Sequence, residues 1–205
     1  GARLFRYWPS TDDQTPAQDF QLRMADYLIT EYHADGFRID EFRGINNWAF
    51  VQRFRDHAWL THQRHFPTRP FVVIAEDSWR RPVITQAAAH NPKGRQVTDS
   101  MWNFAFRDEL RRAFNGQLHT NWGEPARRDR IGWMLTGRRV WDDWRRTSEA
   151  GFQDISQAVN YLTSHDVERE DEKRIMNYLL APLLDGALGE GQRWLACLPP
   201  SAEVR

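Results

Sequence analysis

Apolar residues recur along the chain with two periods. Met24, Ala25, Leu28, Ile29 and Tyr32 fall at helical spacing after Thr15-Pro16-Ala17-Gln18. There Thr15 is a candidate cap, Pro16 suits the first helical position, and Gln18 can close a capping box. This predicts a helix that stops near His33, then a short strand over Gly36-Phe37-Arg38-Ile39-Asp40. Phe50, Phe54, Ala58 and Trp59 give one helical face within residues 46–66, closed by Pro67 and Pro70. Phe71-Val72-Val73-Ile74-Ala75 is a continuous, β-branched apolar run, the pattern of a strand buried on both faces of a parallel sheet. A short helix over 82–90, a weaker strand over 96–102 and a helix over 104–114, stopped by Asn115-Gly116, follow. Residues 125–146 read as helical in part. Ala158-Val159-Asn160-Tyr161-Leu162-Thr163 is a further strand, and 172–184 a helix stopped by Asp185-Gly186.

Strands alternating with helices predict four βα units and a parallel α/β sheet. Two outcomes are common, a doubly wound sheet and an eight-stranded barrel. No Gly-rich phosphate loop follows any of the strands, so nucleotide-binding folds lack their signature.

Composition narrows the function classes. The chain of 205 residues is the length of about one domain. Lys plus Arg is 28 and Asp plus Glu is 28, so the formal charge is 28 − 28 = 0. That balance disfavours a nucleic-acid partner. No apolar run approaches the length of a membrane span. The single cysteine, Cys197, has no internal disulfide partner. Gly1-Ala2-Arg3 opens no signal peptide, and residues 1–14 and 187–205 read as irregular ends of one partial domain spanning 1–205. Either terminus can be a cut point, so compartment is left open with a cytoplasmic location favoured. Oligomeric state is equally open.

Candidate chemistry gathers where strands end. The first strand ends in Asp40, the apolar one in Glu76 with Asp77 after it, and the last in His165-Asp166. Strand C-termini are where parallel α/β folds build their sites. A retaining glycosidase needs two carboxylates, one as nucleophile and one as acid/base, about 5 Å apart. Arg38 and Asp40 lie two apart on a strand and share a face, so the arginine can orient the carboxylate and keep it ionised. Glu76 follows an apolar run, an environment that favours its protonated form. Each acid alone reads as a turn residue or structural ion pair; three in the same relation to three strands point to a site. Trp79 and Trp102 each follow a strand closely and are candidate sugar-stacking platforms, with core packing as the alternative. His57, His62 and His65 lack the spacing of a helical metal site, so no metal site is expected. The charge run 168–174 and the basic spots at 127–130 and 138–139 read as solvated faces.

These residues resemble a known family. Asp35-Gly36-Phe37-Arg38-Ile39-Asp40 resembles the second conserved region of the α-amylase family, glycoside hydrolase family 13. Ile74-Ala75-Glu76 is similar to its third region and Tyr161-Leu162-Thr163-Ser164-His165-Asp166 to its fourth, in the same order and with wide spacings between them. The resemblance covers roughly residues 17–180. It implies a partial (β/α)8 TIM barrel comprising strands four to seven, with the sixth near 96–102. It makes Asp40 the nucleophile, Glu76 the general acid/base and Asp166 a third carboxylate on the sugar hydroxyls. Arg38 would orient Asp40, and His165 would hydrogen-bond the sugar. The implied partner is an α-glucan such as starch, glycogen or a maltooligosaccharide; no nucleic acid, membrane or organic cofactor is implied.

The family's first region, Asp-x-x-x-Asn-His, has no match before Asp35, and no eighth strand follows the last helix. Gly44 stands where many amylases carry a histidine that meets substrate and calcium, which argues against calcium. The expectation is therefore a retaining α-1,4-glucan hydrolase whose residues 1–205 alone are inactive. The alternatives are a glucan-branching transglycosylase, which Ser164-His165-Asp166 mildly resembles, a non-catalytic carbohydrate-binding remnant, or an unrelated α/β protein.

Overall fold

A proline opens the first helix of the computed structural model, which describes residues 15–114, 116, 120–142, 146–162 and 164, with Asp142 described by its backbone alone. Pro16 lacks an N–H at a position where that group has no intrahelical acceptor, so it starts α1 (Pro16–Tyr32) without loss. Thr15 takes the N-cap position but makes no side-chain cap bond. Gln18 is buried, and Arg53 Nη1 donates to its side chain at 3.1 Å; tertiary packing claims it rather than a capping box. His33 ends the helix in the left-handed region, at φ 56 and ψ 39.

The elements then run β1 (Gly36–Ile39), the single turn α2 (Phe42–Ile45), α3 (Trp48–His65), β2 (Val72–Ala75), β3 (Ser100–Trp102), α4 (Phe104–Phe114), α5 (Arg127–Leu135), β4 (Arg139–Asp142), β5 (Thr147–Ala150) and β6 (Ala158–Val159). Asparagines cap two of the helices. Asn47 Oδ1 accepts from the Phe50 N–H at 3.0 Å and Asn103 Oδ1 from the Phe106 N–H at 3.2 Å. Four expectations change. The strand over 158–163 spans only Ala158–Val159. The helix over 82–90 contracts to one 3-10 turn at Pro82–Thr85. The strand over 96–102 starts only at Ser100, because the Val97 and Thr98 N–H groups bond back to the Ile84 carbonyl at 2.7 and 3.1 Å. Residues 125–146 hold one helix and half of an antiparallel hairpin, β4 with β5. The helix over 172–184 and the two irregular ends lie outside the described residues.

The main sheet is four-stranded and wholly parallel, in the order β1-β2-β3-β6. Its register pairs Arg38 with Ile74, Ile74 with Ser100, and Trp102 with Val159. Side chains alternate across a sheet, so the pairing sorts residues by face. Phe37, Ile39, Ala75 and Met101 point to one face and pack into the core with Ile29, Ala58, Ile84 and Val97, and Val73 is fully buried on the same face. Arg38, Ile74 and Trp102 point to the other. The strand expected to be buried on both faces is therefore one-sided: Val73 and Ala75 are fully buried, whereas Val72 is 39% exposed.

One glycine permits this register. A Cβ on Gly36 would sit 2.3 Å from the carbonyl oxygen of Val72, its paired residue on the adjacent strand. Backbone cannot yield that far, so β1 can lie in this register only if position 36 has no side chain. Gly36→Ala is expected to cost about 2 kcal/mol, the scale of overpacking, read as a lower urea midpoint.

The hairpin is fastened to α4 and α5 by buried charge. Glu109, 2% exposed, accepts from Arg127 at 2.6 Å and Arg112 at 2.9 Å. Glu124 takes Arg130, which in turn lies 3.9 Å over the Trp141 ring of β4. Removing one member of such a cluster strands the others without counter-charge, so Glu109→Ala is expected to cost about 3 kcal/mol in chemical denaturation. Hydrogen bonds from Asn121, Arg130 and Arg146 hold the Glu124 carboxyl down from 4.5 to about 2. A carboxyl depressed in the folded state stabilises the protein above its ordinary range, and that stability is lost as pH falls toward 2. Melting temperature is expected to drop between pH 4.5 and 2, and the drop should be shallower in Glu124→Gln. No helix among the described residues is long and apolar enough to cross a membrane.

Candidate active site

The polar face of the sheet converges at its C-terminal end. Asp40, Glu76 and Tyr161 each lie just past a strand end, two residues beyond Arg38, Ile74 and Val159, and contacts with Arg38 and Trp102 gather them on the polar face. Asp77, Asn103 and Asn160 fall on the core-side parity. Asn103 Nδ2 donates to Asn160 Oδ1 at 2.8 Å, and Asp77 is fully buried against Arg81. Asp77 is thus a structural partner and not part of the acidic site.

Arg38 joins the two leading carboxylates. Its Nη1 donates to Asp40 Oδ1 at 2.5 Å and its Nη2 lies 2.8 Å from Glu76 Oε1. The other Glu76 oxygen, Oε2, accepts from the Glu41 backbone N–H at 3.0 Å. The Asp40 side chain is 74% exposed and the Glu76 side chain 12%. One carboxylate therefore faces incoming molecules and the other sits back against the sheet. The apolar run before Glu76 predicts apolar surroundings for its side chain, but the carboxylate is met by a guanidinium and an N–H. The run misleads because Val73 and Ala75 point to the opposite face.

Aromatic rings line the site beyond Arg38. Its guanidinium lies 4.5 Å from the Trp102 ring centre, and Trp102 stands 4.8 Å from Tyr161. Arg107 Nη1 donates to the Tyr161 hydroxyl at 3.3 Å. Burial pushes the Tyr161 phenol well above its ordinary 10, with Asp108 and Glu76 adding to the rise against the pull of Arg107, so it stays un-ionised. Trp79 is 56% exposed, with Arg81 4.6 Å over its ring and Arg43 at 5.7 Å.

No family model matches the chain, and no curated protein matches it. Among solved structures, it is similar to the 1.4 Å crystal structure of a candidate alpha amylase from Salmonella typhimurium, with 18% identity and a TM-score of 0.47. The match covers 79% of this chain and 30% of that one, so the chain spans under a third of that protein's length. A likeness at this level carries no inference about chemistry.

Of the residues predicted from sequence, Asp40, Glu76, Arg38 and Trp102 come together. Trp79 contacts Arg43 and Arg81, and Arg43 in turn pairs with Glu41, whose N–H bonds Glu76. His165 and Asp166 lie outside the described residues. Gly44 packs against Glu41, where an added Cβ would come within 2.9 Å of Cγ. Nor does the histidine trio form a unit: His57 bonds Asp26 at 2.8 Å, while buried His62 bonds Asp35 at 2.9 Å. The Tyr161 contact was legible only as strand parity, since the residue follows Val159 by two. Arg107 and Asp108 carried no signal that separates them from helix-surface charges.

Removing the Arg38 guanidinium takes away the cation that touches the Glu76 carboxylate. Arg38→Met is expected to raise the Glu76 titration midpoint by about one pH unit or more, followed by carbon-13 NMR of the carboxyl.

Proposed function

We propose that this chain forms part of a retaining glycoside hydrolase acting on α-1,4-glucans, and that its sheet supplies strands four to seven of a (β/α)8 barrel. The observation that carries the reading is the single guanidinium shared by Asp40 and Glu76 on neighbouring strand ends. A group that touches both keeps the two acids close together on neighbouring strand ends, as a paired-carboxylate glycosidase requires. The parallel, sequentially ordered strands and the position of the acids at their C-terminal ends support the barrel reading.

In the proposed mechanism Asp40, ionised and exposed, attacks the anomeric carbon. The carbon–oxygen bond to Asp40 forms as the glycosidic bond breaks, and the leaving oxygen takes a proton from Glu76. Because Arg38 and the Glu41 N–H both contact the Glu76 carboxylate, the acid must first take up a proton and part from Arg38. Arg38 then remains on Asp40. In the second half Glu76, now a carboxylate, takes a proton from water. The hydroxyl attacks the same carbon and Asp40 leaves. His165 and Asp166 are assigned to sugar hydroxyls by the family resemblance alone.

Proton NMR of maltoheptaose with the polypeptide as the cell makes it tests this reading. The first product should carry an α-anomeric reducing end. A β-anomer would mean inversion and remove the nucleophile role from Asp40. New α-1,6 anomeric signals would mean transfer to a sugar hydroxyl, and no change in the oligosaccharide would leave a binding role. Asp40→Asn should lower the rate at least about a thousand-fold, as expected for loss of a covalent nucleophile.

A further inference from the structure

Trp102 stands next to the carboxylates, yet its contacts are those of a support. The Arg38 guanidinium lies 4.5 Å from its ring centre, Tyr161 packs at 4.8 Å and Phe104 at 6.2 Å. The ring is half-buried. Arg38 in turn contacts Asp40 and Glu76 through separate nitrogens. An arginine placed between two carboxylates on different strands has several rotamers open to it, because either acid alone would hold it. A ring against the guanidinium removes that freedom: cation–π attraction is strongest for tryptophan and grows as water is excluded.

We infer that Trp102 is a positioning residue that holds Arg38 in its bridging place between Asp40 and Glu76, and not a platform on which sugar stacks. The support continues behind it. Tyr161 packs on Trp102, and its hydroxyl accepts from Arg107. Arg107 Nε donates to Asp108 at 2.7 Å, and Asp108 also pairs with Arg80, which lies four residues past Glu76. The contacts thus start at Glu76, just past β2, cross Arg38 of β1, Trp102 of β3 and Tyr161, two residues past β6, and return through α4 to Arg80 in the segment that follows β2. Arg38 is thereby tied to residues in or just past each strand of the main sheet.

The chemical consequence for turnover rests on the glycosidase reading; the positional claim does not. Carbon-13 NMR titration of Glu76 in the full chain tests the position directly. Trp102→Leu should raise the Glu76 midpoint by about half a pH unit or more, because Arg38 is no longer held against the carboxylate. Trp102→Phe, which keeps a ring face, should restore most of it. An unchanged midpoint in a folded Trp102→Leu protein overturns the inference. If Trp102→Leu does not fold, the unaltered protein decides: the Arg38 Nε–H proton should be shifted upfield by the indole ring current, and a resonance at the free-arginine position overturns the inference.

Kinetics on maltoheptaose add the role. Trp102→Leu should lower kcat by several-fold with KM little changed, and Trp102→Phe should recover most of the loss. A raised KM at constant kcat would instead mark Trp102 as a sugar platform and overturn the positioning role. Absence of turnover in the unaltered protein would count against the glycosidase reading and leave the NMR result standing.

Discussion

The register of β1 against β2 is the constraint on which everything else depends. It exists because Gly36 has no side chain where the Val72 carbonyl comes within 2.3 Å of a would-be Cβ. A strand has a period of two, so a slip of one residue would exchange its faces. Arg38 and Asp40 would then turn into the core, and Phe37 and Ile39 would turn out. The same pairing that buries Val73 and Ala75 therefore exposes Arg38 and Ile74 and, one pleat on, Asp40 and Glu76. Core and site are two sides of one pairing.

Within that frame, charge organises the polar face. Two acids brought to neighbouring strand ends would repel unless a cation lay between them. Arg38 supplies it from the same strand as Asp40, two residues earlier, at no cost in loop ordering. The arrangement also separates the two acids by accessibility, with Asp40 mostly exposed and Glu76 mostly covered. That difference suits an attacking carboxylate and a proton-carrying one. A second cluster, Glu109 with Arg127 and Arg130, uses the same chemistry for a different end, since it is closed to solvent and fastens α4 to α5, with Arg130 reaching Trp141 of the hairpin. Exposure, not the kind of pair, distinguishes the site from the fastening.

Much of this was legible in the sequence, and the residues show why. Pro16, Gly36 and the run 71–75 have strong local preferences, so α1, β1 and β2 fall within a residue or two of expectation. Arg38 and Asp40 share a face by arithmetic alone. Elsewhere the deciding forces act between segments. Val97 and Thr98 bond to Ile84 and shorten β3. The β4–β5 hairpin depends on Gly151, whose Cβ would meet the Gly137 carbonyl at 2.1 Å, and no local pattern announces that contact. Glu76 misled for a related reason: apolar neighbours in sequence are neighbours in space only on alternate positions. The support behind Trp102 could not be read at all, because Arg107, Asp108 and Arg80 become special only once three strand ends meet.

The central claim is that Asp40 is the carboxylate that bonds to the sugar. A 5-fluoro-α-glucosyl fluoride slows release of a glycosyl-enzyme more than its formation, so the intermediate accumulates. Peptide mass mapping of the labelled protein tests the claim most directly. The account predicts one glycosyl group on the peptide containing Asp40, lost in Asp40→Asn. A label on another carboxylate, or none while the reagent is turned over, would contradict it.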